Sequence, residues 1–305
     1  MEKNEETSLS GRTLLLIVLV TAIWGFNFIV IKVGVAGVPP LFLAGCRFVL
    51  SALPAVFFVK KPEAPQWRLA AYGLLLGLGE FGFLFTALKL GAPAGLSSVI
   101  LQFQAFFTAL LAAFLLGETI KAHSVVGMGT AALGLVLIAL PSLYPKAGTT
   151  GVFLPWPLIM VVLAAFFWAG ANIAAQGLGK TGGLSLMAWS SLYSPLPLFG
   201  LSFLLERDSI VPALSNLKPA SVGALAYLVL LSTLFGYGIW NQLIMGHGAK
   251  RIAPFSLLVP VFGVAAGTLV LGESFTSGNA LASVLILAGL AIHVFGGRSR
   301  LKRQE

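Results

Sequence analysis

Charge is scarce in this chain. Only 10% of its 305 residues are Asp, Glu, Lys or Arg, while 58% are hydrophobic. A soluble domain is about a quarter charged, so these few charges could not cover a water-facing surface, and the composition points to a membrane protein. Cysteine is scarcer still. Cys46 stands alone, which excludes an internal disulfide and argues against a thiolate metal site. The three histidines, His123, His247 and His293, are scattered, and the single aspartate, Asp208, falls in a connector. Intramembrane hydrolysis wants a Ser/His dyad, paired aspartates or a histidine-bound metal. A membrane-embedded enzyme is therefore a remote alternative, and no catalytic residue, metal or cofactor is expected. The full Walker-type phosphate loop, Gly-x-x-x-x-Gly-Lys-Ser/Thr, is missing as well, so ATP drive is not expected from this chain. The net charge of +9 would suggest nucleic acid in a soluble protein. Here the basic residues sit mainly at the ends of apolar runs, so the expected partner is the lipid bilayer and not nucleic acid. The oligomeric state is left open.

What the chain has in abundance is apolar length. A bilayer-crossing helix needs about 20 mainly apolar residues. Ten runs qualify: 13–34, 41–59, 69–90, 95–116, 122–140, 156–178, 184–205, 220–245, 253–271 and 278–297. They are continuously apolar, whereas a membrane strand would alternate. The fold class expected is an all-α integral membrane protein with ten transmembrane helices. The first run is too long for a signal-peptide core and is expected to be a retained span. Connectors are short and hold turn formers such as Pro39-Pro40 and Gly182-Gly183. With the N-terminus inside, thirteen cations fall on the inner side: Lys3, Arg12, Lys60, Lys61, Arg68, Lys121, Lys180, Lys250, Arg251, Arg298, Arg300, Lys302 and Arg303. Five fall outside: Lys32, Lys89, Lys146, Arg207 and Lys218. That bias predicts both termini in the cytoplasm.

The chain reads as if written twice. "ALLAAFLLGETI" (109–120) and "VAAGTLVLGESF" (264–275) each end an apolar run with Leu-Gly-Glu and a hydroxyl residue. "AIWGFNFIV" and "FFWAGANIAA" each place an asparagine three or four residues after a tryptophan. The expected halves are 1–145 and 150–305, five spans each. Five is odd, so the second copy enters the membrane inverted, a build common among secondary transporters, with the substrate near the midplane between the halves. The paired pattern resembles the EamA branch of the drug/metabolite transporter superfamily. Within it, "WGFNFIVIKVGV", "PPLFLAGCRF", "PAGLSSVILQFQAFFT", "FGYGIW" and "APFSLLVPV" most resemble the bacterial O-acetylserine/cysteine exporters. The resemblance implies a secondary exporter of small polar metabolites, an amino acid or derivative such as cysteine or O-acetylserine, working by alternating access. A broad amino-acid or drug exporter and a nucleotide-sugar-type exchanger are the alternatives. The repeat usually carries a mid-span proline, as Pro260 does; the aligned place in the first half is Ala105.

Polar residues inside the spans are the candidates for transport. Trp24 and Asn27 in span one and Trp168 and Asn172 in span six fall near mid-bilayer by helical rise. Buried asparagines need partners, so they face protein or a wet cavity. Either they meet a solute's amino and carboxyl groups or they bond helix to helix. Gln102 and Gln104 in span four point about 200° apart on an α-helix, so at most one is expected to face a cavity squarely. In span eight Tyr237 and Asn241 share a face with Trp240 beside it, although Trp240 and Asn241 also suit an interfacial belt. Two ionisable residues lie within spans: Glu80, a candidate for proton coupling, and Arg47, its candidate charge partner, about 8 Å apart in depth by helical rise. Lys32 either snorkels to the interface or meets a carboxylate. Glu118 and Glu273, at span ends, are expected to accept bonds from loop amides.

Overall fold

A computed structural model describes residues 9–143, 156–176, 178 and 182–296. The expected half boundaries at 145 and 150, and Lys3, Lys146, Lys180 and the basic tail from Arg298, lie outside the described residues. The described residues are helical, with no strand among them. In order these are α1 Gly11–Gly37, α2 Pro40–Val56, α3 Gln66–Lys89, α4 Ala94–Leu116, α5 Ala122–Leu143, α6 Trp156–Gln176, α7 Gly183–Ser190, α8 Pro195–Leu205, α9 Arg207–Ser215, α10 Pro219–His247, α11 Pro254–Leu271 and α12 Ser277–Phe295. Seven of them, α1, α3, α4, α6, α10, α11 and α12, are long and apolar enough to cross a membrane, and three shorter apolar helices accompany them.

One expected span is broken. The run 184–205 divides into α7 and α8 around Ser191–Ser194. Pro195 marks the restart: a proline lacks the N–H that would continue the ladder, and it takes the first position of α8, where no such bond is needed. The chain uses the break. Ser194 Oγ donates to the Gly73 carbonyl at 2.8 Å, which ties α8 to α3. A short helix, α9, occupies the connector between α8 and α10.

Matching local devices recur along the chain. Inside α3 the segment Leu74–Phe81 widens to a π-helix, and inside α10 the segment Tyr227–Phe235 does the same. A widened turn leaves carbonyls for other donors. In α10 the Ser232 carbonyl accepts the Trp24 indole N–H at 3.0 Å. A tight 3₁₀ turn opens α11 at Ala253–Leu257 and interrupts α4 at Leu101–Phe103. Both Leu-Gly-Glu motifs are helix stops. Gly117 (φ 71°) and Gly272 (φ 64°) take the left-handed backbone that closes α4 and α11, a conformation that favours glycine.

Packing depends on small residues at crossings. Gly25 of α1 meets α11 where any Cβ would strike Phe262 and the Val259 carbonyl. α5 and α12 form the most extensive helix pair, crossing with Gly127 against Gly289. Gly289→Val should overpack that crossing by roughly 1–3 kcal/mol and lower the unfolding temperature in detergent. Gly129, with open space around it, supplies the control, since Gly129→Val should shift the temperature far less. Equal shifts would deny the crossing its role.

Candidate functional site

A cavity of about 370 Å³ lies among α1, α2, α3, α4, α6, α10 and the start of α11. Its wall contains eight of the nine expected substrate residues, Trp24, Asn27, Gln102, Gln104, Trp168, Asn172, Tyr237 and Trp240, together with Glu80 and Arg47. The ninth, Asn241, has its side chain outside the described residues.

Each side chain is placed by local structure. Trp24 is pinned by its bond to the Ser232 carbonyl and packs tilted against Tyr237 and Trp240, with ring centroids 5.3 and 5.2 Å away. Trp240 therefore belongs to this aromatic wall. Both glutamines line the cavity, contrary to the α-helical expectation. The 3₁₀ turn at Leu101–Phe103 advances about 120° per residue in place of 100°, which narrows the angle between Gln102 and Gln104.

The two asparagines are not equivalent. The Asn172 amide nitrogen donates to Gln104 Oε1 at 2.8 Å and to Thr108 Oγ1 at 3.1 Å, joining α6 to α4. Asn27 is buried, and its Oδ1 has no hydrogen-bond partner. Buried polar atoms are normally paired, so this one is a candidate for a ligand. Asn27→Ala should weaken solute affinity roughly five-fold or more, the cost of one buried hydrogen bond, with protein yield unchanged. Equilibrium binding of labelled solute to purified protein measures it; unaltered affinity would assign Asn27 to packing.

The expected Arg47–Glu80 charge pair is not a direct contact. Among the described residues the single ion pair within 4.0 Å is Lys32–Glu273. Arg47 is turned elsewhere. Its Nε and Nη2 donate to Thr233 Oγ1 at 3.4 and 3.2 Å, and its guanidinium carbon stands 4.0 Å from the centre of the Phe81 ring. Arg47 is 1% exposed and Glu80 3%. Arg47 Nη1 and Glu80 Oε2 lack hydrogen-bond partners.

Several wall residues carried no usable sequence signal, among them Tyr72, Ser232 and Ser256. Ser and Tyr are ordinary in membrane helices, and only the packing shows which face the cavity. Thr233, the partner of Arg47, was hidden in the same way.

Lys32 does not snorkel freely. Its Nζ lies 2.6 Å from Glu273 Oε1, and Glu273 also accepts from the backbone N–H groups of Ala94 and Gly95 at 2.7 and 2.9 Å. One carboxylate thus binds α1, the start of α4 and the end of α11. Burial pushes the Glu273 pKa up, but the Lys32 bond and the amides of Gly95 and Ala94 outweigh burial and hold it below the ordinary value. Glu273 behaves as expected of a span-end carboxylate. Glu118 does not: it is exposed, with no hydrogen bond to its carboxylate among the described residues.

A multi-pass helical bundle with a cavity lined from both parts of its chain, buried polar groups among the lining, is the build of a membrane transporter. The sequence pattern of the EamA-like transporter family matches residues 11–140 and again 155–295, and the chain belongs to that family. A relative from Salmonella typhimurium is 42% identical over 291 residues, 93% of this chain and 95% of that protein, and is named "Probable amino-acid metabolite efflux pump". The Escherichia coli K12 protein named "Uncharacterized inner membrane transporter YedA" is 24% identical, over 90% of this chain and 88% of its own. A solved crystal structure, 20% identical, superposes with a TM-score of 0.61 over 95% of this chain and 99% of that one; at that identity the likeness speaks for the fold alone. The chain is a multi-pass transporter of the bacterial inner membrane, with relatives among which some are named for amino-acid metabolite efflux.

Proposed function

We propose that this chain exports amino-acid metabolites, cysteine and O-acetylserine foremost, by alternating access. In this reading the chain has ten spans, with α7 and α8 as one broken span, and both termini in the cytoplasm. Its halves, 1–145 and 150–305, are inverted about the cavity. Glu80 carries the coupling proton, and Arg47 is its electrostatic neighbour. The observation that carries the reading is the cavity itself: buried polar atoms without partners stand beside an aromatic wall. Its volume, about 370 Å³, is near the lower end of small-molecule sites, which run to about 1,000 Å³. That size favours an amino acid over a nucleotide sugar or a bulky drug. The name of the Salmonella relative supports the same class.

Liposomes holding pure protein and loaded with labelled cysteine or O-acetylserine should release both faster than protein-free liposomes, at a rate set by the imposed pH gradient. Release no faster than from the protein-free controls, for either solute and under every gradient, would sink the reading. Reporter fusions after Lys121 and Arg251 should report cytoplasm, and after Lys146 and Glu273 periplasm. A stably expressed fusion on the wrong side breaks the inverted arrangement.

A further inference from the structure

Three buried polar atoms in the cavity wall lack hydrogen-bond partners: Arg47 Nη1, Glu80 Oε2 and Asn27 Oδ1. All three side chains are at least nine-tenths buried, at 1%, 3% and 8% exposure. An unsatisfied buried polar group is costly, and an unsatisfied buried charge more so. One such atom could be a packing accident. Three around a single cavity, from three different helices, form a pattern with a chemical reading.

The pattern has a sign. Arg47 offers a donor on a permanent cation. Glu80 and Asn27 offer acceptors. The guanidinium is held in place by Thr233 and the Phe81 ring, and no contact within 4.0 Å joins it to Glu80. A cation and a carboxyl share the wall without neutralising one another directly. A solute that satisfies all three atoms carries an anionic acceptor at one end and a cationic donor at the other, close together.

We propose that the cavity recognises its solute as an α-amino-acid zwitterion, with Arg47 Nη1 donating to the carboxylate while Glu80 Oε2 and Asn27 Oδ1 accept from the ammonium. This rests on the reading that the exported solute occupies this cavity. It deepens that reading by assigning the two ends of the solute. The solute's side chain then faces Trp24, Tyr237 and Trp240, whose apolar surfaces tolerate variety and provide few fixed bonds. Selectivity lies in the amino-acid head and breadth in the side chain.

The assignment also gives export a way to use a proton. A Glu80 that binds an ammonium is charged, whereas an empty cavity favours a protonated carboxyl, since a bare charge at that depth is costly. Solute and proton then exclude one another at one carboxyl. The zwitterion is neutral overall, so one proton enters for each solute that leaves. Arg47 of α2, Tyr72 of α3 and Tyr237 of α10 are the charged or titratable groups that share this cavity wall with Glu80 among the described residues.

The test is a competition assay on the full chain in liposomes together with thermal stabilisation of the detergent-purified protein. The probes are L-cysteine, O-acetyl-L-serine, cysteamine and cysteine methyl ester, which lack the carboxylate, and N-acetylcysteine, which lacks the ammonium. In the wild type each truncated probe should compete at least about tenfold more weakly than L-cysteine, the scale of a lost charged hydrogen bond. Arg47→Gln should weaken cysteine to the level of cysteamine and leave cysteamine unchanged. Glu80→Gln should keep the discrimination against cysteamine and lose most of that against N-acetylcysteine. Because Glu80→Gln is isosteric, it decides the matter if Arg47→Gln does not fold. Cysteine export with equal competition by the truncated probes overturns the zwitterion assignment and leaves export standing. Strong discrimination without efflux leaves the assignment standing and overturns export. A wild type indifferent to every probe overturns both.

Discussion

Glu80→Gln is expected to abolish the response of export to an imposed pH gradient, while exchange of labelled for unlabelled solute continues at saturating concentration. The side chain is 3% exposed, and its Oε2 has no partner. Charged, it costs on the order of 2.5–3.5 kcal/mol at mid-membrane on insertion scales. Protonated, it is far easier to bury. A carrier that binds a proton facing one side and releases it facing the other converts that difference into direction. Glutamine has the same shape but no proton to release. Exchange needs no net proton movement, so it separates a lost coupling from a lost site. The readout is initial efflux from liposomes with and without a gradient. Full gradient-driven export by the variant would make Glu80 a structural residue and place coupling elsewhere.

A second large effect is expected at Glu273. Replacing it with alanine leaves Lys32 without its carboxylate and leaves the amides of Ala94 and Gly95 without their acceptor. Hydrogen bonds to charged groups are worth roughly 1.5–3 kcal/mol each in partly buried settings, so loosening three of them should cut export about tenfold or more. The double variant Lys32→Ala/Glu273→Ala should recover part of the loss, because much of the damage is an orphaned cation. A double variant no better than the single one would show that the amides, not the ion pair, matter. The pH dependence has a definite sign. The folded carboxyl is held below its ordinary value, so its contribution is complete above the ordinary carboxylate range, near pH 4.3. It is lost only as pH falls through the lower folded value. Between pH 8 and 5 the difference between wild type and Glu273→Ala should therefore stay constant; a change within that window would contradict the arrangement at Glu273.

Hydropathy made the long helices legible and did little for their faces. In a membrane helix the lipid-facing and protein-facing sides are both apolar, so the spacing that reveals a buried stripe in a soluble helix is nearly silent. α1 shows this: Ile17 is fully buried, while Leu15 and Leu19 are largely exposed to the surroundings. Polar residues inside spans were the exception, because their burial demands a partner or a cavity. That is why Trp24, Asn27, Glu80 and Asn172 could be singled out before their surroundings were known. The same logic failed for geometry set by the backbone. Neither the 3₁₀ turn that brings Gln102 and Gln104 to one wall nor the wide turns of α3 and α10 have a composition of their own. Pro195 and Pro197 did signal the break between α7 and α8, but a hydropathy window averages across two prolines. The turning of Arg47 toward Thr233 depends on a helix nearly two hundred residues away, which no local pattern could supply.

The wide turns also set how the side chains within them are aimed. Eight residues of ordinary helix, Gln66–Gly73 in α3 and Pro219–Ala226 in α10, precede each one. A π segment amounts to one residue inserted into an α-helix without a loop to absorb it. Two such insertions stand at the same count in the two stretches that match one family pattern. Deleting a single residue from either would restore an α-helix; the helix beyond would keep its facing, because the wide turn already holds its extra residue within itself, while the side chains inside the segment would be re-aimed. In α3 one of those side chains is Glu80, which stands within the segment Leu74–Phe81. Length, in these two helices, aims side chains as surely as sequence chooses them.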